Sequence, residues 1–229
     1  LPVRNEEKNI LNILQHLSKQ NYPKNKFEII VVDDYSTDKT SALILQLQIP
    51  NLKLIRLSNG EGKKKAIAEG ISQASGALIV TTDADCSMNE SWLSAIVSCY
   101  EDKKPKMIVA PVLLSWESGV GSWEKKTPNS SLPTFFQLMQ SQETMALTAS
   151  ACASLHYNRP ILCSGANLAY EKSAFLAVNG FEGIDQTATG DDVFLMLKFY
   201  KRFPKEINYL KSNDAIVFII PIVIHIILE

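Results

Sequence analysis

Hydrophobic positions along the chain change period again and again, and the changes mark its elements. Ile10, Ile13, Leu14 and Leu17 recur at helical spacing and predict a helix with one buried face. Asn5 is expected to cap it, with Glu6 and Glu7 at the positive end of its dipole. His16 falls beside the apolar face, at a partly exposed surface position. Phe27–Val32 is a short β-branched run and predicts a buried strand. A helix through Leu47 follows, for which Ser36 or Thr37 is the expected cap. Leu52–Leu57 alternates as a strand, and Lys63–Ala74 predicts a helix stopped by Ser75-Gly76. Ala77–Ser87, ALIVTTDADCS, predicts a buried strand running straight into acids.

Glu90–Tyr100 repeats the helical pattern, and Met107–Leu114 reads as one strand. Residues Ser115–Pro133 are rich in Ser, Gly and Pro and predict a loop. Phe135–Leu155 predicts a helix suited to a core, a membrane surface or the roof of an acceptor site. A short helix over Glu171–Val178 stops at Asn179-Gly180, and Phe181–Gly190 reads as a loop. A helix then begins at Asp191-Asp192, and Ile207–Leu210 and Ala215–Ile220 predict closing strands. Strands alternating with helices point to an α/β fold, with a single doubly wound parallel sheet as the economical topology.

Composition bounds this picture. The chain has 229 residues with 46% hydrophobic and 21% charged, which is enough for a core that needs no disulfide. A net charge of −1 gives no footprint for nucleic acid. Cys86, Cys99, Cys152 and Cys163 form no Cys-x-x-Cys pair, so reduced core thiols in a cytosolic compartment are expected. No signal-peptide pattern is read within the chain, and Leu1-Pro2-Val3-Arg4 resembles the tail of a strand whose beginning is expected to be absent. The aliphatic run Ala215–Leu228 is shorter than the roughly 20 residues of a membrane-spanning helix. The expectation is one domain over residues 1–229, a fragment lacking its first strand and its C-terminal part.

Acids at strand ends carry the candidate chemistry, because ligands gather at the carboxyl ends of strands in open α/β sheets. Asp83-Ala84-Asp85 offers hard oxygen ligands for Mg²⁺ or Mn²⁺ held jointly with a diphosphate, or else an Asp-rich turn. Asp33-Asp34 can accept hydrogen bonds from a nucleotide base or ribose, or simply shape the turn. The loop Asn59-Gly60-Glu61-Gly62 followed by Lys63-Lys64-Lys65 at a helix start suits an anion. In Cys163–Tyr170 small residues allow a ligand close to the backbone. Asp191-Asp192 is either a complement to its helix dipole or a carboxylate base.

In their order, PVRNEEKNI, EIIVVDDYSTDKT, GKKKAIAEGISQASGALIVTTDADC, CSGANLAYEKSAFLAVNGFEG and TGDDVFL resemble a family 2 inverting glycosyltransferase. The resemblance runs from Leu1 to about Pro221. It implies the GT-A fold, a Rossmann-like domain with a mostly parallel central sheet flanked by helices, and a bound Mg²⁺ or Mn²⁺. It also implies a nucleotide-sugar donor, most simply a UDP-sugar, and a hydroxyl acceptor such as a lipid or polysaccharide. By the resemblance Asp34, with Asp33 beside it, binds the base, and Lys63 lies near the nucleotide. Asp83 lies near ribose and metal, and Asp85 is the metal ligand. Asp192, with its neighbour Asp191, is the general base, and Gly165, Ala166 and Asn167 line the donor-sugar and acceptor region. The resemblance further implies a membrane link in the full-length protein, with the catalytic domain at the cytoplasmic face of the cell membrane.

One motif of many membrane-linked relatives, Gln-x-x-Arg-Trp after the last strand, has no counterpart: no Trp follows Trp123 and no Arg follows Arg202. A catalytically silent nucleotide-binding or scaffold domain is therefore the competing reading, and a nucleotidyltransferase a third. No Gly-x-x-x-x-Gly-Lys-Ser/Thr loop and no Gly-x-Gly-x-x-Gly fingerprint follows a strand, which disfavours kinase-like ATPases and dinucleotide dehydrogenases.

Overall fold

A computed structural model describes residues 1–58, 60–115, 135–184 and 190–219. The predicted loop over Ser115–Pro133 and the end of the aliphatic run, with Pro221 and His225, lie outside them, apart from Ser115. In chain order the elements are β1 (Pro2–Val3), α1 (Ile10–Ser18), β2 (Ile29–Asp33), α2 (Thr40–Leu45), β3 (Leu52–Arg56) and α3 (Lys63–Gln73). Next come β4 (Leu78–Thr81), β5 (Cys86–Met88), α4 (Trp92–Lys103), β6 (Met107–Val109), β7 (Val112–Leu114) and α5 (Phe135–His156). The chain continues with β8 (Leu168–Glu171), α6 (Lys172–Ala177), α7 (Asp191–Arg202), β9 (Ile207–Tyr209) and β10 (Val217–Ile219).

The α/β alternation builds parallel pairing in the first half, where β1, β2 and β3 form one parallel ladder. A second ladder runs β4-β8-β6-β9, and a third runs β5-β10-β7. β8 enters antiparallel to both β4 and β6, while β6 and β9 are parallel. The topology is thus mixed where one parallel sheet is expected, because the chain returns through β8 from the opposite direction. Met107–Leu114 is not one strand: it breaks at Ala110-Pro111, β6 joins the second ladder and β7 the third. Proline's missing N–H accounts for a ladder that stops there.

Period-2 alternation divides the core in two. Met107 and Val109 of β6, with Leu168 and Tyr170 of β8, pack among Phe175, Leu195, Met196 and Phe199 of α6 and α7. Ile108 and Ala169, between them in sequence, face the other side with Ile10, Ile13 and Leu14 of α1 and Trp92 and Ile96 of α4. His16 is half-buried, its Nδ1 2.8 Å from the Met88 carbonyl. The four cysteines are free; Cys86, Cys99 and Cys163 are buried.

Two expected caps are corrected. Asn5 does not cap α1, which starts at Ile10. Asn5 has φ of 57° and its side chain instead accepts from the Thr37 N–H at 2.8 Å. Neither Ser36 nor Thr37 caps α2; Asp38 accepts from the Thr40 N–H at 2.9 Å, while the Ser36 hydroxyl accepts from the Asn5 N–H. The polar side chains are spent on joining the β1 and β2 exits to each other. The helix α5 buries Ser141, Ala151 and Leu155 and leaves Phe135, Met139, Met145 and Leu147 exposed, so its first half is no core helix. Among the described residues no helix is long and apolar enough to cross a membrane.

Asn167 locks the two halves together. Its side chain is fully buried and accepts from the Trp92 indole N–H at 3.0 Å. It donates to the carbonyls of Pro111 at 2.8 Å and Ala215 at 2.7 Å. One amide therefore ties α4, the β6–β7 break and the approach to β10. Asn167→Ala leaves these groups unpaired in the interior and is expected to cost about 2–4 kcal/mol, read as a lower midpoint in urea unfolding.

Candidate functional site

Three acid-bearing segments meet at one edge of the molecule. The first is the exit of β2. Asp33 turns inward: its carboxylate accepts from the Ser36 N–H at 3.0 Å and from the Ser41 hydroxyl. Asp34, also buried, points at the glycine loop, and both its oxygens accept from the Gly62 N–H, at 3.1 and 3.0 Å. Gly62 has φ of 109°, a conformation that side chains rarely adopt, and this turn delivers its N–H to Asp34 and opens α3 at Lys63. Arg4 stands at the rim, 3.7 Å from Asp34 and 3.3 Å from Glu61.

The second segment is the exit of β4. The Lys63 ammonium lies 2.7 Å from Asp83 Oδ1. Partial burial works against the charge on Lys63, but Asp83, then Asp191 and Asp192, outweigh it and hold its pKa above the ordinary lysine value. Asp85 lies two residues on, at the exposed side of the same turn. Desolvation, and then the Asp83 carboxylate beside it, push Asp85 above the ordinary aspartate range. Two crowded carboxylates of this kind are relieved by a cation.

The third segment joins the turn Gly165–Asn167 to the start of α7. Asp192 Oδ2 accepts from the Gly165 N–H at 2.6 Å, and Oδ1 accepts from the Val193 N–H at 2.9 Å. Gly165 is pinned from its other side as well, since the Thr81 hydroxyl donates to its carbonyl at 2.9 Å. A methyl group on Gly165 would lie 3.6 Å from Asp192 Cβ and 3.9 Å from the Lys63 ammonium. Asp192 and Lys63 therefore flank the same point of backbone. Lys63, Thr81, Gly165, Asp191 and Asp192 share the lining of a recess of about 40 Å³. A much larger cavity, about 1220 Å³, lies between β2 and β4 and is lined by apolar residues such as Ile30, Ile79 and Val80; none of the aspartates lines it.

The structure thus brings together Lys63, Asp83, Gly165, Asp191 and Asp192, and links Asp34 to them through Gly62. It does not bring in Asp33 or Asn167, whose side chains are committed to the turn and to the core, and Ala166 is buried. Arg4 and Thr81 belong to the site without having been singled out by pattern. Arg4 looks like an ordinary surface charge, and Thr81 like one more β-branched strand residue. Burial pushes the Cys86 thiol up to about 12 and the Cys163 thiol well above its usual value, so neither offers a thiolate nucleophile.

Asp83 and Asp85 fit Mg²⁺ or Mn²⁺, ions bound through one or two carboxylates with substrate phosphates completing the shell. Among the described residues no group of three or more His, Cys, Asp or Glu side chains forms a closed metal cage. A cation here would be shared with a ligand.

The family model described as Glycosyl transferase family 2 matches residues 1–159, and the chain belongs to this family. Glycosyltransferase AglE of Haloferax volcanii is 33% identical over 121 residues, 52% of this chain and 40% of that protein. Poly(ribitol-phosphate) beta-N-acetylglucosaminyltransferase TarS of Staphylococcus aureus is 38% identical over 97 residues, 41% of this chain and 17% of that protein. Crystalline S. aureus TarS in complex with UDP-GlcNAc superposes with a TM-score of 0.65 at 22% identity, over 98% of this chain and 58% of that one. The mannosyltransferase PcManGT of Pyrobaculum calidifontis, in complex with GDP-Man and Mn²⁺, superposes at 0.66 and 19% identity, over 95% and 54%. The fold is that of the GT-A glycosyltransferases. The aligned regions cover less than half the length of AglE and TarS.

The raised pKa of Asp85 carries a stability sign. A carboxyl whose folded value is raised favours the fold while protonated and loses that contribution as pH rises through the folded value. Asp85→Asn is therefore expected to raise the melting temperature of the metal-free protein slightly at pH 7. The difference should vanish below the ordinary aspartate range, in thermal melts with a chelator present.

Proposed function

We propose that the chain is the catalytic domain of an inverting, metal-dependent glycosyltransferase. It moves a sugar from a nucleotide-diphosphate sugar, most simply a UDP-sugar, to a hydroxyl acceptor such as a lipid or polysaccharide. The observation that carries the reading is the meeting of the Lys63–Asp83 pair with Asp192 around Gly165. Family membership, and the nucleotide-sugars held by TarS and PcManGT in their crystals, support the donor class. A membrane-linked full-length protein with this domain on the cytoplasmic face belongs to the same reading, supported by the exposed apolar side chains of α5. The cavity between β2 and β4 supports taking residues 1–229 as one domain that accepts a further strand there.

Each residue then has a stated task. Asp34 and Gly62 shape the pocket for the base, and Arg4 closes its rim. Lys63 turns from Asp83 toward the diphosphate and, with the N–H groups opening α3, stabilises charge gathering on the leaving group. Asp85 and Asp83 hold the metal, which when bound neutralises part of that charge. Asp192 accepts the proton of the acceptor hydroxyl as its oxygen attacks the anomeric carbon opposite the departing diphosphate. Gly165 leaves room for the sugar between lysine and base. A single displacement needs no enzyme nucleophile, in keeping with the neutral buried thiols.

Titration with UDP and Mn²⁺ by calorimetry tests the donor half. Binding is expected to need the metal and to be lost in Asp85→Ala; metal-independent binding that survives in Asp85→Ala contradicts the assignment. Asp192→Asn tests the acceptor half. UDP release from UDP-GlcNAc or UDP-glucose should fall about 10²–10⁴-fold with UDP affinity kept. Equal loss of both removes Asp192 from the role of base.

A further inference from the structure

We infer that Thr81 is a positioning residue for Asp192, acting through the backbone of Gly165. This rests on reading Asp192 as the base. Thr81 is the last residue of β4, two before Asp83, and its side chain is buried. Its hydroxyl donates to the Gly165 carbonyl at 2.9 Å and lies 3.4 Å from the Leu168 carbonyl. On the other side of the same residue, the Gly165 N–H donates to Asp192 Oδ2 at 2.6 Å. Both polar backbone groups of Gly165 are thereby held, one by the donor strand and one by the base.

Glycine has no side chain to restrict its own φ and ψ. At Gly165 hydrogen bonds supply that restriction, and these two hold its own N–H and carbonyl. Ser164 closes the turn around Gly165 and Ala166, its carbonyl accepting from the Asn167 N–H at 3.1 Å and its hydroxyl from the Ala166 N–H at 3.4 Å, but it touches neither polar group of Gly165 itself. The Asp192 side chain can swing about its χ angles at the start of α7, where Oδ1 already accepts from the Val193 N–H. The Gly165 N–H fixes the second oxygen, and Thr81 fixes Gly165. The strand that presents Asp83 and Asp85 therefore also sets where the base stands, so that donor and acceptor sides keep register. The gain is positional: a carboxylate displaced by about 1 Å from its attack geometry loses up to about 10²-fold in rate.

Threonine at this position offers a clean pair of variants. Thr81→Val keeps the shape and removes the hydroxyl; Thr81→Ser keeps the hydroxyl and removes a methyl. With UDP-GlcNAc or UDP-glucose as donor, Thr81→Val is expected to lower kcat at least about 10-fold with KM for the donor and calorimetric UDP affinity within about 2-fold. Thr81→Ser is expected to recover kcat to within about 3-fold. A structural defect alone would lower the melting temperature and donor affinity together and would not be rescued by serine. The Gly165 amide proton resonance gives a second readout that needs no turnover: it should move upfield in Thr81→Val and return in Thr81→Ser. Wild-type kcat in Thr81→Val, serine as impaired as valine, or an unmoved Gly165 resonance overturns the inference. Absence of transfer by the wild-type protein, with the resonance shifted as expected, overturns the glycosyltransferase reading and leaves the coupling of Thr81 to Asp192 standing.

Discussion

The contact between Lys63 and Asp83 is the one on which the rest of the site depends. It joins the first turn of α3 to the exit of β4 at 2.7 Å. Gly62, one residue earlier, is tied to Asp34 at the exit of β2. Two strand ends and one helix N-terminus are thus drawn to a single edge by one lysine and one glycine N–H. The ion pair is partly open to water, so its worth to stability is modest. Its consequence is placement: it holds a cationic side chain beside the acids.

Four carboxylates gathered at one edge carry an electrostatic cost, and the structure meets it differently at each. Asp34 is buried but receives the Gly62 N–H on both oxygens. Asp192 receives a backbone N–H on each oxygen and lies in the first turn of α7, at the positive end of that helix. Asp83 takes the ammonium of Lys63. Asp85 has weaker support, from the Cys86 thiol at 3.8 Å, its own backbone N–H and the more distant Lys63, and desolvation and the Asp83 carboxylate outweigh it. A cation would supply what Asp85 lacks, and a diphosphate would complete the cation's shell, which is why donor and metal are expected to bind together.

Much of this was legible in the residues. The strand-end acids at Asp34, Asp83 and Asp85, the lysine after a glycine loop, and the acid pair opening α7 could be read from pattern. So could the family, now shown by the match over residues 1–159. Long-range pairing was not. The antiparallel entry of β8, and the break of Met107–Leu114 into two ladders, follow from where distant strands sit. Asn167 falls in the same class: a small-residue stretch suggested close ligand approach, while its partners Trp92, Pro111 and Ala215 are up to 75 residues away. Asn5, Ser36 and Asp38 show the same limit on a smaller scale. Their types suit caps, but hydrogen bonds between the β1 and β2 exits claim Asn5 and Ser36, and the α2 start falls to Asp38.

A crystal structure of the protein grown with UDP and Mn²⁺ tests the central claim most directly. The account predicts metal on Asp85 and Asp83, the base in the pocket shaped by Asp34 and Gly62, and the Lys63 ammonium moved from Asp83 to the diphosphate. Asp192 should remain bonded to the Gly165 N–H, facing the open side of the diphosphate. Nucleotide bound in the apolar cavity between β2 and β4, or bound with Lys63 still on Asp83 and no metal at Asp85, would contradict it.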